Sequence, residues 1–296
     1  MRIALTGVSG FIGSIAAQHL RQAGHLITGL VRKTSRRDHV EKFVDRFVVG
    51  DQSDEAVWPH LLRDADCLIH NSVDWGALRS GNLREHLQRN LVASIQLLES
   101  AAERQVSKVI FISSVAALQE ISPAWNGVID EDHPLRPGGH YGASKAAIED
   151  HLWSVRARHG TSITIIRPSA VYGVDPSLER SIGYSFIEKV KREQSFDKPG
   201  GGKFVHVDDV AAVMRAAVES EQPAIVANLA DCYARWADVA KMAAEELGIE
   251  AAIDLSSPPQ SKNQFSKEAA CSLGVPLDRG HEGIRRHVRD LIARMK

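Results

Sequence analysis

The apolar run Ile3-Ala4-Leu5 breaks directly into Thr6-Gly7-Val8-Ser9-Gly10-Phe11-Ile12-Gly13, and no other stretch of the 296-residue chain limits its fold so tightly. A buried strand that runs into three glycines and then into residues 11–20, apolar at near-helical spacing, predicts strand, tight turn and helix. Glycines let the backbone turn sharply and approach a ligand closely. The free N–H groups and positive dipole end of the following helix attract negative charge. The turn therefore reads as a cradle for nucleotide phosphates. Its spacing, G-x-x-G-x-x-G, is one residue longer than the usual dinucleotide fingerprint.

Past Gly24, residues 25–31 read as a second strand whose end carries Arg32, Lys33, Arg36 and Arg37. In a dinucleotide fold this position meets the adenosine ribose, where an acid suits the 2′-hydroxyl of NAD and a base suits the 2′-phosphate of NADP. No acid occurs before Asp38, so Arg32 favours NADP over NAD. Further strands are expected at 46–50, closed by Asp51, at 67–70, followed by Asn71-Ser72, and at 106–112, ending in Ser113-Ser114. Three more are expected at 162–167, closed by Pro168, at 204–208 and at 224–229. Helical stretches alternate with them: 54–62, a long amphipathic run over 82–104, a helix from His140 onward, and 209–219. Such alternation implies parallel strands joined by crossovers, hence an α/β, Rossmann-type doubly wound parallel sheet. Its polar strand ends gather on the rim where ligands of such sheets bind. Residues 1–173, completed by 204–229, make the nucleotide-binding domain. Residues 174–203 and 230–296 make a small substrate lobe with helices at 186–192, 237–247 and 282–295.

Composition narrows the partners. With 36 basic and 37 acidic residues the formal net charge is −1, which gives no general affinity for nucleic acid or for a membrane surface. No run is apolar enough to be expected to act as a signal core or membrane span. Cys67, Cys232 and Cys271 are odd in number and far apart, which fits neither a disulfide framework nor a metal cluster and favours a reduced, cytoplasmic setting.

Tyr141 and Lys145 stand four apart at a helix start, so both project from one face. A nearby ammonium favours phenolate and draws a tyrosine pKa down from about 10. Ser114, on the ligand rim, can hydrogen-bond the oxygen that Tyr141 protonates. Taken with Thr6-Gly7-x-x-Gly10-Phe11-x-Gly13, Asp51, Asn90, Ser113-Ser114, Tyr141-x-x-Ser144-Lys145, Arg167-Pro168-x-x-Val171-Tyr172-Gly173 and Phe204-Val-His-Val-Asp208-Asp209, the chain resembles the extended short-chain dehydrogenase/reductases, the NAD-dependent epimerase/dehydratase family.

The resemblance implies that Ser114, Tyr141 and Lys145 are catalytic, with Tyr141 as acid/base and Lys145 both holding the nicotinamide ribose and tuning Tyr141. Ser113 would support Ser114. Gly7, Gly10 and Gly13 would frame the pyrophosphate and Asp51 would contact the adenine, and Ser9, Phe11, Ile12, Gln52, Asn71, Ser72, Asn90, Pro168 and Val171 would also bind the cofactor. A homodimer through 82–104 and 141–159 is also implied.

Departures from the family pattern sharpen the functional reading. Ser72-Val73 stands where two small apolar residues are usual. Val115-Ala116 replaces the Asp-Glu pair of sugar 4,6-dehydratases and sets that activity aside. Lys203 stands where nucleotide-sugar enzymes often carry an arginine fork. The expectation is hydride transfer between a nicotinamide and a secondary alcohol or carbonyl of a small substrate. The alternatives are a nucleotide-sugar 4-epimerase with tightly held NAD and, without turnover, a cofactor-sensing protein. In the lobe, Arg180, Tyr184, Trp236, His281 and His287 carry no recognisable arrangement.

Overall fold

A computed structural model describes residues 1–295; Lys296, the last residue of the expected lobe, lies outside them. In chain order the elements are β1 (Arg2–Thr6), α1 (Phe11–Gln22), β2 (Leu26–Val31), β3 (Arg46–Val49), α2 (Trp58–Leu61), β4 (Cys67–His70), α3 (Trp75–Arg79), α4 (Leu83–His86), α5 (Ala93–Glu103), β5 (Lys108–Ile112), β6 (Val128–Ile129), α6 (His140–His159), β7 (Ser162–Pro168) and β8 (Ala170–Tyr172). The chain continues through α7 (Tyr184–Glu193), β9 (Ser195–Phe196), β10 (Gly201–His206), α8 (Val207–Glu219), β11 (Ala224–Leu229), β12 (Cys232–Arg235), α9 (Trp236–Leu247), β13 (Ala252–Ile253), β14 (Gln264–Phe265), α10 (Glu268–Ser272) and α11 (Gly280–Arg294).

Seven parallel strands form the central sheet in the order β11-β7-β5-β4-β1-β2-β3. The period of two along β1 decides how it is covered: Ile3 and Leu5 face one side and Ala4 the other. On the first side they meet Ala16 and Leu20 of α1 and Val210, Met214 and Ala217 of α8. On the second, Ala4, Leu68, Val109 and Phe111 meet Leu97 and Leu98 of α5 and Ile148 and Leu152 of α6. The chain winds outward from β1 through β2 and β3, then returns to the other side of β1 as β4. That reversal opens the crevice in which doubly wound sheets bind ligands.

Two expectations change. The run over 82–104 is one helical path, but residues Leu87–Val92 make a wider π-turn between α4 and α5, with Asn90 inside it. The strand expected at 204–208 runs from Gly201 to His206 instead, and it ends there because the His206 side chain accepts from Asp208 N at 3.2 Å and caps α8. β10 leaves the central sheet and pairs with β8 and, antiparallel, with β12. Phe204 and Tyr172 thus pack with Ile187, Val239, Ile284 and Leu291 in a second core. β14 reaches back to pair with β6. Among the described residues no helix is long and apolar enough to cross a membrane.

Candidate functional site

The glycine turn has the geometry its composition predicts. Gly7 adopts φ +68°, and Gly10 N–H donates to Gly7 O at 3.0 Å. A Cβ at Gly13 would lie 2.1 Å from Gly7 O, so only glycine lets α1 pack so closely on the turn. α1 starts with no side-chain cap and no acidic residue in its first turn, which leaves its first N–H groups free for an anion. This arrangement fits a dinucleotide pyrophosphate.

Beyond β2 the chain folds into a tight turn in which Arg32 N–H donates to Ser35 Oγ at 3.1 Å. Arg36 pairs with Asp38 at 3.0 Å and donates to Pro176 O at 3.2 Å. Arg32 has no carboxylate partner among the described residues. Burial pushes the Asp51 carboxyl up, but the Ser53 N–H and hydroxyl, with Arg89 and Arg32, outweigh it and hold the group below its ordinary value. Gln52 donates to Arg89 O at 3.0 Å and accepts from the Ser72 hydroxyl.

A buried relay fixes the rim between β1 and β4. Thr6 Oγ1 accepts from Asn71 N at 3.0 Å and Ser72 N at 3.2 Å, so its proton is free for His70 Nδ1 at 2.9 Å. Ser94 donates to Asn90 O at 2.6 Å, so His70 Nε2–H donates to Ser94 Oγ at 2.8 Å. That bonding assigns a neutral Nε2–H imidazole. Burial, with Lys145 nearby, pushes its pKa down to about 3.

Ser114, Tyr141 and Lys145 face the same cleft. Ser114 Oγ accepts from Ala116 N at 3.1 Å and caps the turn after β5. Lys145 Nζ donates to Ile112 O at 2.6 Å and stands 4.5 Å from the centre of the Phe111 ring. Burial lowers its pKa to about 7, and Glu149, one helical turn on, opposes that shift. Burial raises the Tyr141 phenol above its ordinary value, while Ser114 works the other way. The expected lowering of the Tyr141 pKa by Lys145 is therefore not found: desolvation sets the direction with Ser114 opposing it, and Lys145 Nζ lies 5.8 Å from the Tyr141 ring centre. Beneath the trio, Glu149 accepts from the Ser113 hydroxyl and, through Oε2, from Arg167 Nε at 2.9 Å and Nη2 at 2.7 Å. All three are buried, and together they tie β5, α6 and β7 in one register.

The cleft has a volume of about 1550 Å³. It brings together Gly7, Ser9, Gly10, Phe11, Ile12, Arg32, Asp51, Gln52, Asn71, Ser72, Ser114, Tyr141, Lys145, Pro168 and Val171. Two expected cofactor residues do not line it. Gly13 sits behind the turn, packed on Gly7. Asn90 is turned inward by the π-turn: its amide accepts from Asp74 N at 2.6 Å, donates to Asp74 O at 3.0 Å and meets His86 Nδ1 at 3.0 Å. Of the lobe candidates, Arg180 and Trp236 line the cleft, whereas His287 is buried against Ile182 O at 2.7 Å. The wall also holds Trp75, Arg79, Lys203, Asn263 and Phe265. Among these, only Lys203 gave a signal in the sequence, through its place before Phe204.

This sheet and cleft define a class by fold, the doubly wound Rossmann-type proteins with a ligand cleft at the rim of the sheet. Comparison with known proteins makes the assignment specific. The chain belongs to the NAD-dependent epimerase/dehydratase family, whose family model matches residues 3–230. A UDP-glucose 4-epimerase of Mycolicibacterium smegmatis is 30% identical over 232 residues, covering 73% of each chain. A putative dihydroflavonol 4-reductase of Synechocystis sp. is 26% identical over 210 residues, covering 70% of this chain and 60% of the relative. The crystal structure of a Thermus thermophilus UDP-glucose 4-epimerase in complex with NAD matches with a TM-score of 0.78 at 25% identity, covering 98% of this chain and 99% of that one.

Proposed function

We propose that this enzyme transfers a hydride between a nicotinamide dinucleotide, NADP in preference to NAD, and a secondary alcohol or carbonyl of a small substrate. The observation that carries the reading is the meeting of Ser114, Tyr141 and Lys145 in the cleft that begins at the glycine turn. When bound, the nicotinamide supplies or accepts the hydride. The chain does the rest: Tyr141 moves a proton to or from the substrate oxygen, Ser114 donates a hydrogen bond to that oxygen, and Lys145 holds the ribose beside them.

The NADP preference rests on the end of β2. Arg32, Ser35 and Arg36 line the adenosine end of the cleft, and the first acid there, Asp38, is engaged by Arg36. Calorimetric titration of cofactor-stripped protein with NADPH and NADH, repeated on Arg32→Ala, tests it. Tighter NADPH binding that the substitution removes supports the reading; NADH preference with Arg32 indifferent overturns it.

A second reading, nucleotide-sugar 4-epimerisation with retained NAD, is favoured by one feature of the outer cleft. Arg180 and Lys203 have no carboxylate partner among the described residues and stand with Trp236 and Phe265, a set suited to a diphosphate and a ring. Tightly copurifying NAD and no net cofactor oxidation would favour it. We also read 174–203 and 230–296 as the substrate lobe, the setting as cytoplasmic, and the exposed Val92 and Trp153, near or on α5 and α6, as part of a homodimer surface.

A further inference from the structure

Trp75 is a large apolar side chain left 47% exposed, and its exposed surface belongs to the cleft wall. Its ring stacks on Tyr141, with centroids 5.4 Å apart and planes 30° apart. One helical turn on, the Arg79 guanidinium lies over the same indole, 5.6 Å from its centre, and also lines the cleft. Arg79 has no carboxylate within 4 Å among the described residues, whereas Arg89 is paired with Asp74 at 3.1 Å.

The segment that carries the pair is held firmly. Asp74 caps α3 by accepting from Ala77 N at 3.0 Å, and Asn90 clasps the Asp74 backbone from both sides. Asn90 is buried in the π-turn and fastened to His86, which meets Ser144 Oγ at 3.0 Å, one residue before Lys145. The indole is therefore positioned against the acid/base tyrosine by the same network that carries the lysine. An aromatic surface held beside a reacting group offers a flat apolar platform with little left to lose in side-chain freedom. The Arg79 guanidinium over that ring, once drawn off the indole, offers a planar, bidentate partner for a carboxylate.

We propose that Trp75 and Arg79 determine specificity, selecting a substrate whose reacting carbon carries a flat ring on one side and an anionic group on the other. The proposal rests on the oxidoreductase reading of the cleft and names the substrate class that this reading leaves open. Trp75 reads the ring, and Arg79, drawn off the indole, reads the anion.

Three probes separate the terms: benzoylformate carries ring and carboxylate beside one carbonyl, acetophenone the ring alone, and pyruvate the carboxylate alone. Their dissociation constants are measured by calorimetry on protein saturated with oxidised cofactor, which cannot reduce them, and their kcat/KM values are then measured with reduced cofactor. Benzoylformate should bind about tenfold more tightly than either simpler probe. Arg79→Met should remove that advantage over acetophenone, and Trp75→Ala should weaken both ring-bearing probes while leaving pyruvate unchanged. Trp75→Phe, which keeps an aromatic surface, should restore most of the loss, an outcome that a merely structural role for Trp75 does not predict. Equal binding of the three probes, binding indifferent to Arg79→Met, or no binding by any of them overturns the proposal. Failure of the oxidoreductase reading is distinguishable, because it would appear as no oxidation of reduced cofactor with any carbonyl, whichever probe binds.

Discussion

The inner and outer halves of the cleft are built on opposite principles. Around the glycine turn and the Ser114-Tyr141-Lys145 trio, the central buried polar groups are partnered, His70 by Thr6 and Ser94, Glu149 by Ser113 and Arg167, Lys145 by Ile112 O, while Ser169 Oγ and His39 Nδ1 at the margin are not. In the outer half, Arg79, Arg180 and Lys203 lack acidic partners among the described residues and Trp75 is exposed. A group that must hold a fixed reaction geometry needs its bonds made in advance, since unpaired buried polar atoms are costly. A group that must recognise a substrate leaves its bonds for the substrate to make. On the function proposed above, the first half would fix the chemistry and the second would select what undergoes it.

That contrast breaks most visibly at Glu149. Glu149→Ala leaves Arg167 buried without its carboxylate and should cost about 3–5 kcal/mol of stability in chemical denaturation. A cost no greater than that of Arg180→Met would dissolve the distinction between the halves. Next in size, Gly13→Ala forces the turn away from α1 and should cost about 1–3 kcal/mol, accompanied by weaker cofactor binding in calorimetry.

The relay at His70 sharpens the contrast through pH. Its folded pKa, about 3, lies below the ordinary 6.5, so between these values the unfolded chain binds a proton that the folded protein refuses. The stability it contributes is present above pH 6.5 and is lost as pH falls toward 3, at up to about 1.4 kcal/mol per unit. His70→Gln should flatten that slope in denaturation curves taken across the window. Smallest of all, Arg180→Met and Lys203→Met should leave stability within about 0.5 kcal/mol of the parent while raising substrate KM, which steady-state kinetics would read.

The same contrast explains what the sequence made legible. The turn at Gly7, Gly10 and Gly13 and the Tyr141/Lys145 pair are local patterns, in which spacing alone sets geometry, and the strand ends follow from alternation. Asn90 was legible as a polar residue in the middle of a helix, but its partner was not: the π-turn at Leu87–Val92 has no sequence signature, and it points the amide at Asp74. Trp75 and Arg79 lie in a stretch too short for periodicity, and nothing local announces that the indole meets Tyr141, far along the chain. The outer wall is assembled from 177–180, 202–203, Trp236 and 263–265, segments joined only by tertiary pairing such as β14 on β6. β10 was legible as a strand, yet its neighbours β8 and β12, three and four residues long, fell below the length at which alternation can be read.

The account stands on Tyr141 as the group that moves the proton. Turnover of a carbonyl panel with reduced cofactor, measured on Tyr141→Phe beside the cofactor dissociation constant, tests it most directly. The account predicts a fall in turnover of about 10²–10⁴-fold with cofactor affinity nearly unchanged. Turnover close to that of the parent would contradict it.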